Sequence, residues 1–220
     1  MTHHAEETKL RHAIIAAAQD LNNRGFCPSK SGNVSARFQG GFLITPSGIQ
    51  YDDLTLDDIV FIDADGHPAP LTKAGLRPSS EWRFHQAIYQ THAEAQAIAH
   101  THSPLATALS CARKPIPAFH YMIALAGGSD IRCAEYATFG TEELAQTMLK
   151  ALEGRKAVLL ANHGVVAYGK SLLGAATLAI EVENLARQYL TLLSAGLQPV
   201  ILDDAEMARV QMSFAGYGKA

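Results

Sequence analysis

The chain has 220 residues, 48% of them hydrophobic and 18% charged, with a formal net charge of −3. This is the length and make-up of one globular domain with a sizeable core, and it excludes an intrinsically disordered chain. No basic stripe of the kind needed for non-specific nucleic-acid binding is present, and no apolar run approaches the length of a membrane span.

Leu10, Ile14, Ala17, Ala18 and Leu21 recur at helical spacing and predict an amphipathic helix over about residues 6–23, stopped at Gly25. Residues 34–37 and 41–44 are strand-like runs flanking Gln39-Gly40-Gly41, a hairpin signal. A strand over 59–63 follows, turned by Asp65-Gly66. Ser79 and Ser80 are candidate caps for a helix reaching about residue 90. Residues 97–102 form a strand, and Ser103-Pro104 opens the next helix with a serine cap and proline at its first position. Residues 157–160 and 165–168 predict two strands on either side of His163. An Ala- and Leu-rich helix spans 171–194, and Asp203-Asp204 caps a last helix to about residue 214. No repeat, low-complexity tract or linker divides the chain. Residues 1–220 are expected to form one α/β domain, a mixed, largely antiparallel sheet flanked by helices.

Cys27, Cys111 and Cys133 are odd in number and widely spaced, with no Cys-x-x-Cys pair. Neither a disulfide framework nor a thiolate metal site is predicted. The first residues lack the basic-then-apolar order of a secretion signal, so a reducing cytoplasm is the expected compartment.

The chemistry concentrates at Ala97-Ile98-Ala99-His100-Thr101-His102. In a strand, residues i and i+2 point the same way, so His100 and His102 share a face. His163 stands at the end of a second strand. Taken singly, a histidine at a strand end is more often a hydrogen-bonded core residue than a ligand. Three imidazoles with a carboxylate nearby match a catalytic zinc site, in which three protein ligands leave a position open for substrate. Ser31-Gly32-Asn33-Val34-Ser35, Thr45-Pro46-Ser47-Gly48 and Pro78-Ser79-Ser80 are small-residue turns able to offer backbone N–H groups and hydroxyls to an anion. Any one of them alone is an ordinary turn. Glu81, in the first turn of its helix, is either a cap that gains from the helix dipole or an acid/base beside the metal.

Seven blocks in order then meet a family: Ser31-Gly32-Asn33-Val34-Ser35, Leu43-Ile44-Thr45-Pro46, Pro78-Ser79-Ser80-Glu81-Trp82-Arg83-Phe84-His85, His100-Thr101-His102, Pro117-Ala118-Phe119-His120-Tyr121-Met122-Ile123, Tyr136-Ala137-Thr138-Phe139-Gly140-Thr141 and Asn162-His163-Gly164. Over about residues 10–217 the chain resembles the zinc-dependent class II aldolase and adducin-head family, most closely its L-fuculose 1-phosphate aldolases. The resemblance implies a class II aldolase fold and a homotetramer with active sites between subunits. It implies one zinc ion per subunit held by His100, His102 and His163, with Glu81 as acid/base that also touches the metal. Gly32, Asn33, Ser47, Gly48, Ser79 and Ser80 correspond to the phosphate pocket. Lys30 stands where those aldolases carry a small hydroxyl residue, and is expected either to pair with phosphate or to face solvent. Tyr121 corresponds to a catalytic tyrosine supplied across a subunit boundary, and Tyr217 to a C-terminal tyrosine that closes over the aldehyde.

The implied reaction is cleavage of a ketose 1-phosphate to dihydroxyacetone phosphate and an aldehyde. The substrate is of the L-fuculose 1-phosphate, 5-deoxyribulose 1-phosphate or 5-methylthioribulose 1-phosphate type. Related enzymes are 4-epimerases, dehydratases or decarboxylases on the same zinc site. A non-catalytic adducin-like head would have lost the histidines, and all three are present.

Overall fold

The computed structural model describes residues 2–71 and 73–216. Helix α1 (Thr2–Asn23) buries Ile14, Ala18 and Leu21, the face predicted from their spacing. Strands β1 (Asn33–Phe38) and β2 (Gly41–Ile44) form the expected hairpin, and β3 (Val60–Ile62) adds to β2. Then come α2 (Trp82–Thr91), β4 (Ala97–Thr101) and α3 (Pro104–Cys111). Short strands β5 (Ile116–Pro117), β6 (Asp130–Ile131) and β7 (Cys133–Ala134) surround a 3-10 segment at Tyr121–Ala126. The chain continues through α4 (Glu142–Leu152), β8 (Ala157–Leu160), β9 (Gly164–Gly169), α5 (Leu172–Ser194) and α6 (Asp204–Gly216).

The main sheet runs β3-β2-β1-β4-β9-β8-β7, antiparallel throughout except for the parallel pair β7/β8. Side chains alternate across it. Ala97 and Ala99 of β4 and Val165 and Ala167 of β9 face a core built with α1, α3 and α5. Ile98 of β4 and Val166 and Tyr168 of β9 face a second core built with α2 and α4. Helices therefore cover both faces, and the central strands read as continuous apolar runs. The fold is the expected single α/β unit with a mixed, largely antiparallel sheet. Among the described residues no helix is long and apolar enough to cross a membrane.

The register decides where the chemistry collects. Asn33 pairs with His100, Thr101 with Val165, and Leu160 with Gly164. One end of four neighbouring strands thus gathers Asn33, the His100–His102 segment and the β8–β9 turn that carries His163.

Local expectations are corrected at two helix starts. Neither Ser79 nor Ser80 caps α2; Glu81 is its N-cap residue, without a side-chain cap bond, and the Ser79 hydroxyl instead accepts from the Glu81 N–H at 3.3 Å. Pro104 does begin α3, but the Ser103 hydroxyl makes no cap bond. The buried Glu183 of α5 does that work from another helix, accepting from Leu105 N–H at 3.0 Å and Ala106 N–H at 2.8 Å. A carboxylate suits a helix N-terminus because it meets both the orphan donors and the positive end of the dipole. Glu183→Ala should lower unfolding free energy by roughly 1.5–3 kcal/mol, the range for a hydrogen bond to a charged group. Denaturant titration reads this, and an unchanged midpoint would refute it.

Candidate active site

His100 sits at the end of β4, completely buried, and His102 follows one residue beyond the strand, anchored by its N–H to the Phe26 carbonyl at 2.8 Å. His163 occupies the β8–β9 turn. There Asn162 takes a left-handed φ of 55°, which asparagine tolerates better than most residues, and the His163 N–H returns to the Leu160 carbonyl. The three rings meet almost symmetrically, each pair with centroids 4.9 Å apart and planes at 74–85°. Gly164 permits this approach, because a Cβ there would fall 2.4 Å from the Thr101 carbonyl and 3.1 Å from the His102 ring.

Glu81 completes the group. Its Oε2 is 3.1 Å from His100 Nε2 and its Oε1 is 3.0 Å from His163 Nε2. The ligand atoms of Glu81, His100, His102 and His163 all lie within 4.8 Å of one another. Two observations fit this set to a cation. His100 Nδ1–H donates to the Val165 carbonyl at 2.8 Å, so its Nε2 carries a lone pair, yet it faces His102 Nε2 at 3.0 Å and a carboxylate oxygen. Fixing the tautomer by a backbone carbonyl behind the ring is how ligating histidines are oriented. Glu81 Oε1 is also buried without a well-formed hydrogen bond. Burial pushes His102 down to about 3, with His100 and His163 adding to the effect, which keeps it in the neutral form that ligates. Burial by itself would raise the Glu81 carboxyl, but the adjoining His100 and His163, when protonated, hold it well below the usual carboxylate range. Imidazole nitrogens with one carboxylate suit a divalent metal. Burial pushes the Cys27 thiol the other way, up to about 12, so it adds no thiolate.

The cluster floors a cleft of about 290 Å³. Lys30, Gly32, Asn33, Ser47, Gly48, Ser79, Ser80 and Glu81 all line it, together with His102 and His163. The three small-residue loops are stitched together by backbone bonds: Ser47 N–H to the Arg77 carbonyl and Ser79 N–H to the Thr45 carbonyl join the second to the third, and Thr45 N–H to the Val34 carbonyl joins the second to the first. Gly32 takes φ +88°, and a Cβ there would meet the His100 carbonyl at 2.6 Å. The first loop is thereby pressed against the end of β4, and the Tyr51 hydroxyl holds it from outside by donating to the Gly32 carbonyl at 2.7 Å. Lys30 Nζ donates to the Gly48 carbonyl at 3.3 Å and joins two of the loops.

Residues 12–190 match the model of the Class II Aldolase and Adducin N-terminal domain family. The chain belongs to this family. A 5-methylthioribulose-1-phosphate/5-deoxyribulose-1-phosphate aldolase of Rhodospirillum rubrum is 50% identical to it, over 95% of this chain and 92% of that one. An L-fuculose phosphate aldolase of Escherichia coli is 47% identical over 97% of both chains. The solved structure of an L-fuculose 1-phosphate aldolase superposes with a TM-score of 0.89, at 41% identity, covering 94% of this chain and 96% of the other.

Among the described residues, the structure brings together all but Tyr121 of those that sequence and the class II aldolase resemblance singled out. Tyr121 is 50% exposed, outside the cleft of its own chain, with its ring against His120 and Phe214. Tyr217 lies outside the described residues. Asn33, expected at the phosphate, commits its side-chain amide elsewhere: Nδ2–H donates to Ser79 Oγ at 2.9 Å and to Glu81 Oε2 at 3.0 Å. Sequence reasoning assigned no role to Tyr136, Phe139 and Asn162, which also line the cleft. An exposed aromatic gives no sign in one sequence of whether it borders a site. His85 was placed only on a helix; it is fully buried behind Asn33.

Proposed function

We propose that this class II aldolase uses a zinc ion to cleave a ketose 1-phosphate to dihydroxyacetone phosphate and an aldehyde. The aldehyde is small, as in the 5-deoxyribulose, 5-methylthioribulose or L-fuculose 1-phosphate relatives. One observation carries the reading: three imidazoles and a carboxylate converge at the floor of a cleft whose wall is three small-residue polar loops.

A zinc ion held by His100, His102 and His163 would supply Lewis-acid polarisation of the substrate's C2 carbonyl and C3 hydroxyl oxygens. The loop N–H groups and the Ser47, Ser79 and Ser80 hydroxyls receive the phosphate at the start of α2, where the helix dipole favours an anion. Lys30 adds a point charge at the rim. Cleavage begins as the C4 hydroxyl passes its proton, by way of a tyrosine, to the Glu81 carboxylate, which carries it to C3. The C3–C4 bonding pair moves to C3, C4 leaves as the aldehyde carbon, and Glu81 delivers a proton to C3. In the synthetic direction Glu81 removes that proton. Tyr121 from a neighbouring subunit and Tyr217 serve the departing aldehyde oxygen, within a homotetramer in the cytoplasm. Exposed Leu173, Val200 and Ile201 support such an assembly, because subunit contacts cover side chains of this kind.

The test is a panel of ketose 1-phosphates with enzymatic detection of dihydroxyacetone phosphate, each paired with its unphosphorylated sugar. Release from at least one phosphorylated ketose is expected. A site built to hydrogen-bond one group rejects the analogue lacking it by roughly 10⁴–10⁵-fold, and kcat/KM for the free sugars should fall toward that scale. No release from any member by zinc-loaded protein would overturn the proposal. Equal kcat/KM with and without phosphate would overturn the pocket.

A further inference from the structure

A run of buried polar side chains lies behind Glu81. His85, one helical turn further along α2, contacts Asn33 Oδ1 through Nε2 and Ser35 Oγ through Nδ1 at 2.7 Å. Ser35 Oγ also meets the Tyr89 hydroxyl at 2.8 Å. Ser35 and His85 are fully buried and Tyr89 nearly so, and the His85 ring stacks on Phe84 with centroids 4.7 Å apart. A core this dry needs no histidine for packing, and every polar atom in it requires a partner.

The direction of each hydrogen bond follows from its neighbour. The Asn33 amide turns its NH₂ toward Ser79 Oγ and Glu81 Oε2, which leaves its oxygen facing His85. That oxygen only accepts, so His85 must donate from Nε2. Neutral imidazole then has its lone pair on Nδ1, which takes the Ser35 hydroxyl proton, and Ser35 Oγ in turn accepts from Tyr89. The run is one-way: Tyr89 to Ser35 to His85 to Asn33 to Glu81.

We propose that His85 is a positioning residue for the catalytic carboxylate. By donating from Nε2 it prevents the Asn33 amide from flipping. The Asn33 NH₂ stays fixed on Glu81 Oε2, and Oε1 is left as the oxygen that exchanges the substrate proton. A flipped amide would set its oxygen against the carboxylate and turn Glu81 out of line. The inference rests on the acid/base role proposed for Glu81.

Two substitutions separate positioning from packing. In His85→Gln the side-chain amide nitrogen reaches the place of Nε2, so a donor to Asn33 is kept. In His85→Asn it reaches only the place of Nδ1. Both variants, with Glu81→Gln in parallel, are assayed for deuterium exchange at C3 of dihydroxyacetone phosphate, for KM and for bound zinc. Loss of an outer-shell partner typically lowers activity 10–100-fold, and a loss of about that size is expected in His85→Asn, with KM and zinc content unchanged. His85→Gln should stay within a few-fold of the parent. Parent-level exchange in His85→Asn beside an inactive Glu81→Gln would overturn the His85 assignment alone. Equal losses in the two His85 variants would also overturn it, because the ring would then serve packing. Parent-level exchange in Glu81→Gln would instead remove the acid/base reading beneath it. Nitrogen NMR of the unmodified protein is independent of any variant's folding: a proton on His85 Nε2 is expected, and a proton on Nδ1 refutes the run.

Discussion

Glu81→Gln should lower turnover by ~10²–10⁴-fold, the usual worth of general acid–base catalysis, while leaving fold and metal in place. The substitution keeps the side chain's shape. Asn33 Nδ2–H already donates to Oε2 at 3.0 Å, so the glutamine carbonyl oxygen should settle there. The new NH₂ group then occupies the position of Oε1, the buried oxygen without a well-formed hydrogen bond. One basic oxygen is lost and little else changes. Exchange of the C3 hydrogen of dihydroxyacetone phosphate against deuterium isolates this step, because it needs no aldehyde. Exchange at the parent rate would show that another group moves the proton.

Stripping the metal should have the larger effect, reducing cleavage to background. Purified protein should carry about one divalent ion per chain, with zinc restoring activity after chelation. Magnesium should not replace it, because magnesium prefers oxygen ligands and the set here is mainly imidazole nitrogen. His163→Ala removes one of three nitrogens and should weaken zinc binding beyond the ~10–100-fold typical of an outer-shell change. Dialysis against a competing chelator measures it. Full activity in protein shown free of metal would exclude this chemistry.

Much of the fold was legible because its pattern is local. Leu10, Ile14 and Leu21 mark α1, although it starts four residues before the expected residue 6, and the runs at 157–160 and 165–168 mark β8 and β9 to within a residue. Helix α4 was passed over although its signals were present. Thr141 is its cap, accepting from the Leu144 N–H at 3.2 Å, and Leu144, Ala145, Met148 and Leu152 are buried at helical spacing. Strands β5, β6 and β7 have two residues each, too few for any period to emerge. Their pairing is set by tertiary contact rather than by propensity.

The histidine cluster could be read because His-x-His on a strand has a fixed geometric meaning. Its neighbours could not. Nothing in the sequence distinguishes His85, on the second turn of a helix, from any other buried imidazole until Asn33 and Ser35 are seen beside it. The α2 start misled for a related reason: serines before a helix predict caps, but Ser79 turns its hydroxyl to Asn33 and the Glu81 N–H. A cap signal failed where the same residue type was wanted for the site.

The strand order also sets when the chemistry becomes possible as the chain folds. The β1–β2 and β8–β9 hairpins join segments that are neighbours in sequence and can close early. Strand β4 instead pairs with β1 on one side and β9 on the other, both far away along the chain. Such non-local pairings are the slow ones, because loop closure must precede any gain from contact. His100 and His102 ride on that bridging strand, His163 belongs to one hairpin, and Asn33 to the other. No early hairpin holds more than one of the three clustered histidines, so a half-folded chain cannot assemble the proposed zinc site. Tight metal binding at the proposed site would therefore mark completed folding.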